Sequence, residues 1–345
     1  MPISRRVLLQ ALATAPLFPT AFCRAETNAP PFQVGQLPTP QQIRRIVSAG
    51  PPADLLLMAL VPEKMVGFSS LDLGQEAASF LPETLRKMPK YGRRLAGRAS
   101  SLSLERLVAL RPDLIVDTGN MDASWISAAR RISTQTQIPW LLFDGRLIQS
   151  PHQLLNAGAL LGAAPRAQRQ AALAQRFIDQ AQAFADTPAA AIRFYAARGP
   201  RGLETGLKGS IHTEAAELLG LRNVVEMPGR HGLTTVSLEN LLAWQPDIVL
   251  VQDAVTYQTL LSDPAWQGVE AVAQRRILFL SGLPFGWLDA PPGLNRLLGL
   301  RRLHAWLDPA VRSAFRQDMH DYSELFWHTT LSAAQYQQLT RTAPL

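Results

Sequence analysis

The side chains of this chain best suited to recognising a charged or planar ligand are cationic and aromatic, and they lie outside any catalytic motif. Arg198, Lys208 and Arg230 stand in or beside glycine-rich polar stretches, where a guanidinium or ammonium group can neutralise a carboxylate or an oxyanion. Tyr91, within Lys90-Tyr91-Gly92-Arg93, and Trp287, within Phe285-Gly286-Trp287 ahead of Pro291-Pro292, are suited to packing on a planar or aromatic ligand. His231 follows Arg230, but the six histidines, at positions 152, 212, 231, 304, 320 and 328, are scattered without HxH or HExxH spacing. Direct capture of a metal ion needs about three or four converging ligands, so no direct metal site is expected. There is no GxSxG nucleophile elbow and no GxGxxG dinucleotide fingerprint, which argues for binding and against catalysis.

The elements that must position these side chains announce themselves by repetition. Ser103 to Val116, SLERLVALRPDLIV, returns as Ser237 to Leu250, SLENLLAWQPDIVL, an offset of 134 residues with seven of 14 positions identical. That spacing suits two similar lobes and exceeds solenoid periods of about 20 to 50 residues. Leu104, Leu107 and Val108, like Leu238, Leu241 and Leu242, fall at i, i+3 and i+4, the spacing of one buried helix stripe. Ser103 and Ser237 stand where an N-cap is expected. Pro112 and Pro246 end each helix, and the apolar runs Leu114 to Val116 and Ile248 to Val251 read as buried parallel strands.

The remaining segments extend this to an α/β fold of two lobes, each with a mostly parallel sheet flanked by helices. In the first lobe, Arg45 to Gly50 reads as a strand, Ala53 to Leu60 as a helix and Met65 to Phe68 as a strand. Ala123 to Thr136 follows as a helix and Trp140 to Asp144 as a strand. Arg166 to Asp186, rich in Ala, Gln and Arg, reads as one helix long enough to join the lobes. In the second lobe, strands are expected at Ile192 to Ala197, Asn223 to Val225 and Arg276 to Leu280, with a helix at Thr213 to Leu219. The boundaries are an N-terminal lobe at 45–165, the interlobe helix at 166–187, a C-terminal lobe at 188–309 and C-terminal helices at 310–345.

Residues 1–25 read as an export signal: Arg5-Arg6 precedes an apolar run, and Cys23-Arg24-Ala25 offers a cleavage site. The arginine pair resembles a twin-arginine signal, with ordinary secretion as the alternative. Lipidation of Cys23 is disfavoured by the bulky Phe22 before it. Residues 26–44 read as an extended, proline-containing leader. Loss of the signal removes the one cysteine and lowers the formal charge from +7 to +4. With 47% hydrophobic residues and no later run of about 18 apolar residues, the mature chain reads as soluble and without a membrane span. No Lys/Arg cluster interleaved with aromatics suggests nucleic acid as a partner.

Taken in order, RIVSAGPPADLLLMAL, the two repeats, DPAWQGVEAVAQRRILFL and PPGLNRLLGLRRLHAWLDP resemble the periplasmic substrate-binding proteins of iron-siderophore, haem and vitamin B12 ABC importers. The resemblance covers about residues 43 to 330. It implies two lobes joined by one long helix, a monomer, a metal chelate held in the cleft, and delivery to an ABC permease and its ATPase from the periplasm. It also implies that Glu105 and Glu239, one per repeat, dock on permease arginines, on a face expected to lie away from the ligand loops. The helix dipole alone can account for a glutamate at either position.

Ligands of open α/β sheets bind beyond the carboxyl ends of the strands. That selects Pro51-Pro52, Ser69 to Asp72, Gly119-Asn120, Asp144 to Arg146, Arg198, Gly202 to Ser210, Arg230 to Gly232, Gln252-Asp253 and Phe285 to Trp287. Arg296 reads as a structural tie between loop and lobe. The alternatives are a free metal ion or an oxyanion such as molybdate on the same fold, or an exported enzyme.

Overall fold

The computed structural model describes residues 30–71, 73–92 and 102–341; the export signal with Cys23, Asp72 and Arg93 lie outside the described residues. Each repeated unit folds as its residues dictate. Ser103 Oγ accepts the Arg106 N–H at 3.2 Å and Ser237 Oγ accepts the Asn240 N–H at 3.2 Å, capping helices Leu104–Ala109 and Leu238–Trp244. The aspartate after each proline then clamps the sheet. Asp113 Oδ2 accepts the backbone N–H groups of Arg44 and Arg45, each at 2.8 Å, and Asp247 Oδ2 accepts that of Arg193 at 2.7 Å. In return, the Arg45 side chain donates to the Leu110 and Arg111 carbonyls, and Arg193 to those of Trp244 and Gln245. The same device therefore aligns a repeat helix with the start of a neighbouring strand in both halves.

The strands are β1 (Phe32–Val34), β2 (Ile46–Ser48), β3 (Leu114–Gly119), β4 (Trp140–Asp144), β5 (Arg193–Ala197), β6 (Glu204–Gly206), β7 (Arg222–Asn223), β8 (Leu233–Thr235), β9 (Ile248–Val251) and β10 (Ile277–Phe279). One sheet runs β1-β4-β3-β2, parallel except for β1, and a second runs β10-β9-β5-β7, all parallel. β6 and β8 form a separate antiparallel pair; β6 lies inside the Gly202 to Ser210 stretch read from sequence as cleft loop, and β8 directly follows Gly232. Part of the expected leader is structural, because Phe32–Val34 pairs with Trp140–Leu142 at the sheet edge. Met65 to Phe68 makes only isolated bridges to Ile46 and Lys90 and is not a full strand. The expected Thr213 to Leu219 helix is confined to Glu214–Glu217.

Alternation along each strand divides the core into three layers. Leu114, Val116, Leu141 and Phe143 from the first sheet join Phe194, Ala196, Ile248, Leu250 and Leu278 from the second in one central apolar cluster. Their strand neighbours Val47, Ile115 and Leu142 face one outer cluster, and Tyr195, Val249 and Val251 the other. Helix Ala164–Ala185 lies along the central layer through Ala171, Ala174, Phe177, Ile178 and Ala181. Its 22 residues span roughly 33 Å at 1.5 Å per residue. It packs closely on helix Ser150–Leu161, where a Cβ at Gly158 would fall 2.2 Å from that of Ala167. A buried ion network ties it to the C-terminal helices: Asp318 accepts from Arg176 at 2.7 Å and Arg301 at 2.6 Å, and Arg301 also reaches Gln180 at 2.7 Å. Two sheets sharing one core and one braced helix are built for small relative movement.

The repeat helices bury less than their spacing predicts. Leu107 and Leu241 are fully buried, but Val108 and Leu242 are 48% and 39% exposed. A helix of only six or seven residues lays one turn on its sheet and leaves the equivalent positions of both repeats in solvent.

Candidate functional site

The carboxyl ends of the strands carry two buried polar clusters. In the first half, Ser48 ends β2, and its hydroxyl donates to Asp54 Oδ1. Ser69 donates to the same carboxylate through its N–H at 3.0 Å and its hydroxyl at 2.6 Å. The Tyr91 hydroxyl accepts the Ser48 N–H at 2.7 Å and lies within 3.0 Å of the Ser48 carbonyl. Burial pushes the Asp54 carboxyl up to about 6, against the four hydrogen bonds that favour its charge. This cluster fastens the loop after Phe68 to the end of β2. Tyr91 is only 4% exposed, with its ring in the outer core, so it presents no face to a ligand.

In the second half, Arg198 follows β5 and Gln252 follows β9. Both converge on the buried Asp289 carboxylate, which also lies 2.7 Å from His212 Nδ1. Gln252 Oε1 accepts the Leu288 N–H at 2.9 Å, fixing the loop that carries Asp289. Burial first, then the Arg198 and Arg296 charges, depress His212 to about 4. The ring is therefore neutral near pH 7, and its Nδ1–H donates to a carboxylate whose charge Arg198 already balances. Burial also lowers Arg198, and its Nε is buried without a partner among the described residues.

Arg296 joins the two halves. It is 2% exposed and donates to Glu214 at 2.7 Å, to the Ile211 carbonyl at 2.9 Å and to the Gly145 carbonyl beyond β4. Glu214 in turn accepts the Leu147 N–H at 2.8 Å. The expected structural tie is thus a buried bridge from the loop after β4 to the start of helix Glu214–Glu217 in the second half.

Two adjoining hollows open beside the second cluster. One, of about 500 Å³, is lined by Arg198, Gly199, Pro200, Gln252, Asp253 and Gly286 among others. The other, of about 340 Å³, shares Gln252, Asp253 and Gly282 and extends to Ser281, Phe279 and Glu76. Arg198 lines the first hollow; Lys208, Arg230 and His231 line neither. Lys208 is exposed and paired with Glu226 at 3.0 Å, and Arg230 and His231 lie exposed on the segment joining β7 to β8. Trp287 is a core residue. It is fully buried, donates Nε1–H to the Leu283 carbonyl at 2.8 Å, and its backbone packs so closely on helix Arg296–Leu307 that a Cβ at Gly299 would meet the Trp287 carbonyl at 2.1 Å. Among the described residues no group of three or more His, Cys, Asp or Glu side chains is placed to hold a metal ion.

Glu105 and Glu239 are exposed on the repeat helices. Those helices end where Arg45 and Arg193, at the amino ends of β2 and β5, grip their last carbonyls. Their amino-terminal turns therefore point toward the carboxyl ends of the strands. Both glutamates lie on the same side of the molecule as the hollows, and not on the far side expected from sequence. Hydrogen bonding to Ser237 and to its own backbone holds Glu239 below the usual carboxylate range.

The family profile described as periplasmic binding protein matches residues 46–282, and so takes in both repeats and every strand except β1. The chain belongs to the periplasmic binding protein family. Solved structures agree in fold. An ABC transporter solute binding protein from Sulfurospirillum deleyianum DSM 6946 has a TM-score of 0.77 at 22% identity, covering 88% of this chain and 95% of that one. The molybdate periplasmic binding protein MolA of Haemophilus influenzae, solved with molybdate, has a TM-score of 0.69 at 20% identity, covering 86% and 96%. The periplasmic heme-binding protein RhuT from Roseiflexus sp. RS-1 has a TM-score of 0.58 at 22% identity, covering 78% and 99%. By sequence, the Haemophilus MolA is 27% identical over 107 residues, a match that spans only 29% of either chain. By family, then, the chain is a periplasmic binding protein, and its fold is that of the solved solute-binding proteins.

Proposed function

We propose that this periplasmic binding protein captures a hydrophilic metal chelate in the hollows beyond β5, β9 and β10 and hands it to a membrane permease. The observation that carries the reading is the lining of about 500 Å³, where the Arg198 guanidinium, the Gln252 amide and the Asp253 carboxylate stand among small residues such as Gly199, Pro200 and Gly282, with Tyr91 and Trp287 both withdrawn into the core. That space holds a chelate with many hydrogen-bonding groups. A flat porphyrin has no exposed ring from either of those residues on which to stack. A second reading, an oxyanion such as molybdate, is favoured by the two similarities to MolA. Native mass spectrometry of protein taken from its own periplasm separates the two. A bound mass of several hundred daltons with iron supports the chelate, whereas molybdenum without an organic mass supports the oxyanion.

Glu105 and Glu239 serve as the two docking charges, each flanked three residues on by an exposed aliphatic side chain, Val108 or Leu242. A carboxylate beside an apolar contact at two pseudo-equivalent places gives a partner both orientation and grip. Since they share a side with the hollows, docking brings the ligand against the permease. Charge reversal at both glutamates should abolish uptake in cells while ligand affinity in solution stays unchanged. Uptake at the wild-type rate would falsify this assignment.

A further inference from the structure

The second hollow has a wall that belongs to neither sheet. Helix Ala333–Thr340, at the C-terminal end of the described chain, contributes Gln338, and Arg341 follows it; both line the space with Glu76, Gln252, Asp253 and Ser281. The helix is fastened at both ends of its course. Toward the first half, Gln338 Nε2 donates to Glu76 Oε1 at 2.6 Å and Gln335 Nε2 to the Ser79 carbonyl at 3.0 Å. Toward the C-terminal helices, Leu339 is buried in the central core, Arg302 donates to the Thr340 carbonyl at 2.9 Å, and Arg316 lies over the Tyr336 ring at 5.2 Å. A Ser332–Gln335 capping box starts it.

Charge in this hollow is unevenly committed. Asp253 caps helix Ala254–Ser262 by accepting the Thr256 N–H at 2.8 Å, and Glu76 is engaged by Gln338. Arg341, by contrast, makes no ion pair with a carboxylate among the described residues and is exposed at the rim. A guanidinium facing a polar space offers up to five donors to an anionic group.

We infer that the C-terminal helix is a working wall of the ligand site, with Arg341 selecting for negatively charged ligands and Gln338 setting the wall's position through Glu76. The inference rests on the reading of the hollows as the ligand site. Without Arg341 the charged lining of this hollow is reduced to the carboxylates Glu76 and Asp253, so anionic ligands lose ground relative to cationic ones. The helix then acts on specificity without belonging to either sheet.

The test uses the full mature chain and two named probes of opposite charge, ferric citrate and cationic ferrioxamine B, with molybdate as a third, titrated by calorimetry. Arg341→Glu should weaken ferric citrate or molybdate relative to ferrioxamine B by roughly ten-fold, as expected when two unit charges change near a partly solvated site. Arg169→Glu, a reversal at an exposed position on the long helix, should leave the ratio alone. Gln252→Ala, in the wall shared by both hollows, reports on the site itself. If Gln252→Ala weakens binding and Arg341→Glu does not alter the ratio, the helix has no such role and the hollows remain the site. If wild-type protein binds none of the three probes, or Gln252→Ala changes nothing, the reading of the hollows falls and the inference falls with it.

Discussion

Two buried carboxylates stand near the carboxyl ends of the strands, Asp54 in the helix after β2 and Asp289 in the loop after β10 against the ends of β5 and β9, and they solve the same electrostatic problem differently. Asp54 is surrounded by hydroxyls and backbone N–H groups, with no cation among its hydrogen-bond partners. Asp289 has Arg198, His212 and Gln252. The first cluster is closed and fastens a loop, while the second borders an open hollow. A carboxylate held by hydroxyls makes a rigid joint whose own charge is costly. One neutralised by a guanidinium leaves other donors of that guanidinium for whatever enters the space beside it. The two halves share a plan, and the pairing of one buried charge decides which half keeps polar donors beside open space.

The largest effect expected from breaking this contrast comes at Asp289. Asp289→Ala strands Arg198 in a site where its side chain is 21% exposed, and removing one partner of a buried pair costs about 3–5 kcal/mol. Chemical denaturation should show a loss of that size together with lost ligand binding. A loss below about 1 kcal/mol would mean the pair is not a structural anchor.

Acid should come next, and here the two clusters pull in opposite directions. His212 and the core residue His304 are both depressed to about 4 by burial, below an unfolded value of about 6.5. The unfolded chain therefore binds more protons between those values, and stability falls as pH drops from about 6.5 to 4. Asp54 is raised to about 6 from 3.8, so its folded carboxyl takes a proton first and stability is regained over part of the same window. Thermal melts from pH 7 to 4 should show a net loss of about 3 kcal/mol, since a tenfold change in proton affinity is worth about 1.4 kcal/mol and these two rings oppose one carboxyl. Melting temperatures that rise on acidification would contradict this order.

The smallest and sharpest effect is a difference between variants. Asp54→Asn removes the compensating carboxyl, so its melts should fall more steeply with acid than those of the wild type, whereas His212→Gln should fall less steeply. Parallel curves for all three proteins would show that neither cluster titrates as assigned.

Much of the fold was legible because it is written locally. Helix Ala123–Thr136 and strands Trp140–Asp144 and Ile248–Val251 lie where periodicity and caps predict them, and the two serine caps form as read. Phe32–Val34 was illegible as a strand because its partner is β4, more than 100 residues away. Val108 and Leu242 fit a buried stripe by spacing, but burial depends on how much of a short helix its sheet covers. At the site, Arg198, Gln252 and Arg296 stand out from their positions at strand ends and a helix start. Asp289 and His212 carry no motif. The one hint along the chain was a lone carboxylate in the apolar stretch Phe285-Gly286-Trp287-Leu288-Asp289-Ala290-Pro291.

By itself, then, the sequence determined two α/β halves, their repeated helix-turn-strand unit, the long helix between them and the kinship these imply, since caps, prolines and apolar periodicity act over a few residues. Tertiary structure alone decided which polar groups meet. Tyr91 and Trp287 look like ligand platforms along the chain and become core, because each polar atom finds a partner inside. Asp289 becomes the hub of the second half because β5, β9 and two loops deliver Arg198, Gln252 and His212 to it. The direction in which Glu105 and Glu239 face was likewise settled by the antiparallel run of helix against strand. The physical reason in the first two cases is the same: the energy of a buried polar group depends on neighbours that only the folded chain brings within hydrogen-bond reach.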